Sequence, residues 1–193
     1  RWSHVQINNT SGINKNGWAL SGGVNFYESD IKMDHVNFIG NRSEDALNIV
    51  RSKFDLKSVT IKNTTSDGFD SDFSSGTIEN SGFENIGSQG GGDGIDVSGS
   101  EVTVTNSYFE NISDKGISVG ENSNLKATNI DIKNADIGVA SKDGSLLTIS
   151  DSKFSEIRKF GLMSYIKKPE YGSPEILAKN ISIESTGDKF IYQ

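Results

Sequence analysis

Cysteine is absent from the 193 residues, and proline, histidine, methionine and tryptophan occur only twice each. Without cysteine there is no disulfide framework and no thiolate-held zinc. That suits a reducing compartment, or a secreted protein stabilised by other means. No apolar run approaches the roughly 20 residues of a membrane span, so membrane insertion is not expected. Positive charge is also short: 19 Lys and Arg face 26 Asp and Glu, a net charge of −7. A deficit of that sign argues against nucleic acid or an anionic membrane as partner. The chain opens on Arg1 and shows no signal peptide, so a mature or excised piece of a longer protein is expected. What is plentiful is glycine, with 21 residues, together with Asn, Ser, Asp, Ile and Val, the composition of turn-rich β structure.

Self-similarity organises that composition. A small residue precedes an apolar one at Ala46-Leu47, Gly68-Phe69, Gly94-Ile95, Gly116-Ile117, Gly138-Val139 and Gly161-Leu162, at intervals of 22, 26, 22, 22 and 23 residues. Phe38, Ile61, Phe83, Phe109, Ile132 and Phe154 form a second column in the same register. Two residues on, Asn63, Asn85, Asn111 and Asn134 form a third, with Asn9 likewise following Ile7. Each repeat is too short for a helix pair and carries period-2 patches such as FDLKSVTIKN and EVTVTNSYFEN. Three short strands per repeat, stacked coil on coil at about 4.8 Å, make an all-β solenoid. The expectation is one right-handed parallel β-helix over residues 1–193, of about seven coils. The asparagines should stack in one turn, because Asn tolerates left-handed backbone and its amide can bond the next coil. The small-residue column should mark a corner where a Cβ would crowd.

In these columns the chain resembles the right-handed β-helix repeat family found in many polysaccharide-processing and polysaccharide-binding proteins. The resemblance implies an extracellular or cell-surface setting and a polysaccharide or glycan partner. SDGFD and GDGIDVSGS are similar to the Asp-bearing strands of polygalacturonase-type hydrolases, and DKGISVG to the segment that there carries Gly-His-Gly, with Lys115 where the histidine would stand.

Alternation within the repeat places the chemistry. With Phe69 inward, Asp70 and Asp72 point outward, and Asp96 should stack directly on Asp70 one coil later, flanked by Asn48 and Ser118. Asp70 and Asp72 should lie roughly 7 Å apart, and Asp70 and Asp96 about 4.8 Å. Like charges this close favour a cation or a proton between them. Three readings stay open: a solvated acidic face beside Lys115 and Lys142, a calcium site of Asp70, Asp72 and Asp96, and a catalytic carboxylate set. In the last, a separation near 7 Å fits an inverting glycosidase pair, while Lys115 would be the base of a lyase if desolvation lowered its pKa. His4 and His35 are read as structural. The segments SQGGG (88–92) and YIKKPEYGSPEI (165–176) are insertions, the second offering Tyr165 and Tyr171 for sugar stacking or for covering the coil beneath. Function divides into two classes: an extracellular carbohydrate-binding or polysaccharide-processing domain, as an enzyme a hydrolase or lyase, or a non-catalytic structural or adhesive solenoid working beside other domains of a larger surface protein.

Overall fold

The computed structural model describes residues 1–185 and 191–192. The chain winds into an all-β parallel solenoid of about six turns, one fewer than expected. A single turn of 3-10 helix, Pro169–Tyr171, is the helical content of the described residues. Among the described residues every strand pair along the coil is parallel, and the one antiparallel pair is a side hairpin, Ile13–Lys15 with Trp18–Leu20.

Each coil has three faces. The first carries Gly22–Tyr27, Asp45–Val50, Asp67–Asp72 and Ile95–Ser98, and continues through residues 115–120 and 137–142 to Phe160–Tyr165. Leu47, Phe69, Ile95, Ile117, Val139 and Leu162 are consecutive partners on it, as the repeat requires. Phe38, Ile61, Phe83, Phe109, Ile132 and Phe154 stack on the third face, with the Phe83 and Phe109 rings parallel 4.8 Å apart. All six are buried. These aliphatic and aromatic stacks are the core, and their burial fixes register, since a one-residue slip would turn each column to solvent.

The corners carry their own ladders. Asn63, Asn85, Asn111 and Asn134 stack in one turn at φ between 54° and 59°. Asn85 Nδ2 donates to Asn63 Oδ1 at 3.0 Å, Asn111 to Asn85 at 2.9 Å, and Asn134 to Asn111 at 2.7 Å. A ladder not foreseen is built of serine: the backbone N–H of Ser29, Ser52, Ser74, Ser100 and Ser123 each donates to the Oγ of the serine one coil on. The small-residue column obeys sterics. A Cβ at Gly68, Gly94, Gly116 or Gly138 would meet the carbonyl oxygen of the next glycine in the column at 2.7, 2.6, 2.7 and 2.5 Å.

Candidate functional site

The outward side of the first face carries three registered columns. The middle one runs Asn48, Asp70, Asp96, Ser118 and Ala140, so Asp96 does lie on Asp70. Beside it run Val50, Asp72, Ser98 and Gly120. The third column stands just before the glycines: Asp45 pairs with Asp67, and Asp93 and Lys115 follow through the Gly68–Gly94–Gly116 stack. Asp45 and Asp93 were missed from sequence, although Asp45-Ala46, Asp67-Gly68 and Asp93-Gly94 keep the repeat interval. The bend at the small residue turns the preceding side chain onto this face, which simple alternation does not anticipate.

These carboxylates are not a solvated face. Asp45 and Asp93 are 3% and 5% exposed, and Asp67, Asp70, Asp72 and Asp96 are half-buried. The Asn48 amide nitrogen lies 3.1 Å from Asp45 Oδ2, 3.1 Å from Asp70 Oδ2 and 2.9 Å from Ser21 Oγ. Asp67 Oδ1 accepts the Asp93 backbone N–H at 2.8 Å, and Asp93 Oδ1 accepts that of Lys115 at 3.0 Å. Burial, reinforced by the charges of Asp45, Asp72 and Asp96, pushes Asp70 up to about 9. Burial and the neighbouring Asp93 push Asp67 up to about 7. Burial also raises Asp72, with Glu121 and Asp96 adding to it. Burial and crowding therefore favour the protonated form of Asp70 at neutral pH.

Lys115 sits differently from its sequence expectation. Its Nζ is 3.2 Å from Asp93 Oδ1 and 2.5 Å from Asp114 Oδ2. Burial works against the ammonium, but Asp93 and Asp114 outweigh it and raise the pKa. That pairing favours the charged form, whereas a lyase base needs a lowered pKa. Asp93 is raised by burial and pulled back by Lys115, which it shares with Asp114. Lys142 closes the same end, 3.5 Å from Asp96 Oδ1. Among the described residues no group of three or more His, Cys, Asp or Glu side chains could hold a metal ion. Of the aspartates expected to hold calcium, Asp70 and Asp96 are neighbours one coil apart and Asp72 lies two residues along from Asp70.

The remaining candidates lie at the margins. His4 and His35 stack at a corner away from the first face, 5.0 Å between ring centroids, with His35 Nδ1 2.8 Å from Asp34. The 165–176 insertion folds onto the solenoid: Asp143 Oδ1 accepts the N–H groups of Lys167 and Lys168, both at 2.6 Å, while Lys168 and the Tyr171 hydroxyl bond Glu121. Tyr171 is therefore committed to that contact. Tyr165 is half-buried above Lys142 on the first face.

The coil geometry is that of a right-handed parallel β-helix, here with a run of carboxylates on one face. The family model described as "Right handed beta helix region" matches residues 45–173, and the chain belongs to that family. No curated protein matches the chain. Among solved structures it is similar to the catalytic domain of a GH87 alpha-1,3-glucanase in complex with tetrasaccharides, with 16% identity and a TM-score of 0.42. That likeness covers 79% of this chain and 40% of the other, so this chain spans less than half of that one.

Proposed function

We propose that this face forms a groove that binds and hydrolyses a polysaccharide outside the cell. The observation that carries this reading is the pair of outward carboxyls on the Asp67–Asp72 strand, Asp70 and Asp72, of which Asp70 keeps its proton at neutral pH. Glycoside hydrolysis needs a carboxylic acid that is still protonated at working pH to protonate the leaving oxygen. Asp70 has that property because it is buried among other acids. Asp72 stands two residues along the same strand, roughly 7 Å away, a spacing that leaves room for a water and fits inversion. Hydrolysis is favoured over β-elimination because the lysine of the groove, Lys115, stays charged. Among the described residues, Lys115 and Lys142 on this face are both taken up by aspartates, which leaves neither to a polyuronate and points to uncharged substrates.

The test is a depolymerisation screen over neutral and acidic polysaccharides, with calcium and with chelator, following the anomer of the product. Inverted product, equal turnover in calcium and chelator, and a loss of about 10²-fold or more in Asp70→Asn are expected. Calcium-dependent turnover would instead return the aspartates to a metal role. Tight glycan binding without cleavage would favour the adhesive solenoid, and an Asp70→Asn variant with full activity would end the assignment of Asp70.

A further inference from the structure

Round the lip of the groove, one residue after Asp72, the coil turns through Phe73 at φ 50°. A bulky side chain at positive φ is an outlier, and burial in the core does not offset it, because Phe73 is 58% exposed. The ring lies along the corner against the next coil, where Gly99 leaves space: a Cβ there would come within 2.6 Å of it. One coil back, Arg51 is fixed by Tyr27. Its Nη1 donates to the tyrosine hydroxyl at 2.9 Å, and its guanidinium carbon is 6.0 Å from the centre of a ring that is itself 57% exposed. Tyr27, Arg51 and Phe73 thus present three exposed planar groups in a row beside the acidic groove.

Phe73 also forms one wall of an open cavity of about 600 Å³. Charges of both signs line it, Arg51 and Lys53 against Asp30 and Glu101, together with Asn124, whose Oδ1 is buried without a hydrogen-bond partner. One exposed aromatic face beside charges in balance suits a ring that is apolar on its C–H face and hydroxylated at its edge. The cavity is open and mostly polar, so Phe73 is its one apolar wall and the surface on which a ring would stack.

We infer that Phe73 is the stacking surface of a second glycan subsite, at the corner between the groove and the neighbouring face, which takes the apolar face of an uncharged pyranose ring. The ligand class rests on the carbohydrate reading above, but the subsite does not depend on catalysis, and binding is what its test reads. Asparagine serves the same backbone geometry at the opposite corner, so Phe73→Asn removes the ring while easing the turn. Phe73→Trp keeps a stacking surface.

Calorimetric titration of wild type, both variants and Asp70→Asn with cellohexaose, laminarihexaose, xylohexaose, mannohexaose and oligogalacturonate decides the matter. Wild type and Asp70→Asn should bind at least one neutral hexaose, Phe73→Asn at least about tenfold more weakly, and Phe73→Trp within about threefold of wild type. The melting temperature of Phe73→Asn should equal or exceed that of wild type. Phe73→Asn that binds like wild type, whether it melts lower or not, would make Phe73 a packing residue over Gly99 and overturn the subsite. So would a wild-type protein that binds none of the neutral hexaoses, or only the oligogalacturonate. Full turnover in Asp70→Asn with weakened binding in Phe73→Asn would sink the groove assignment and leave the subsite standing.

Discussion

Two corners of the same coil impose the same backbone and receive opposite residues. At the corner holding Asn63, Asn85, Asn111 and Asn134, the left-handed position is filled by the side chain that tolerates it and bonds the next coil. At the edge of the acidic face the corresponding positions, with φ from 47° to 59°, hold Glu28, Arg51, Phe73, Gly99, Glu121 and Asp143. Most of these gain nothing from that conformation. Strained backbone that persists without a local benefit tends to mark surfaces kept for another purpose. The difference teaches where stability alone chose the residue and where it did not, and the lip is the second kind.

Exchanging the corners' residues should break the symmetry most strongly at the asparagine side. Asn85→Phe removes two ladder bonds and places an aromatic in the left-handed region, and should cost about 3 kcal/mol in chemical denaturation. A loss below about 1 kcal/mol would mean the amides are ornament to the stack. The groove and the ladder should also part in their response to pH. A carboxyl whose folded pKa lies above its unfolded value binds the extra proton in the folded state, so its stabilisation is complete below the unfolded pKa. It is lost as pH rises through the folded pKa. For Asp67 and Asp70, raised to about 7 and about 9, stability should fall between pH 4 and 9. Asp70→Asn should flatten the upper part of that slope and gain about 2 kcal/mol at pH 9, whereas Asn85→Ala should lower the whole curve without changing its shape. A parallel shift in both variants would erase the distinction. The smallest effect is expected at Arg51→Asn. That variant gives up exposed contacts to Tyr27 and Glu28 but eases the turn, so denaturation should move by under about 1 kcal/mol.

Sequence carried the architecture because burial imposes period two. Phe69, Ile95 and Ile117 could face only one way, and Asp70 and Asp96 were placed on one another as a consequence. Asp45 and Asp93 escaped because they sit ahead of the bend at the small-residue column, where alternation gives no answer. Lys115 was located, but its chemistry depends on Asp93 one coil below and Asp114 beside it, a pairing that exists only after stacking. The calcium reading rested on spacing, and the stacking does hold Asp70 and Asp96 on neighbouring rungs, with Asn48 bonded to one and Lys142 to the other. The serine ladder was open to view at the same interval, but serine is too common here for its spacing to stand out.

The glycine loop between Thr64's coil and the next has a further consequence. Gly90 and Gly91 are exposed, and no atom lies within 4 Å of where their side chains would be. The coils on either side are joined by lateral strand pairing, Phe69 to Ile95 and Phe83 to Phe109, quite apart from the peptide link. A single proteolytic cut there would leave two fragments still clasped along all three faces. Each fragment would offer the other a ready template, as the two halves of a split protein do.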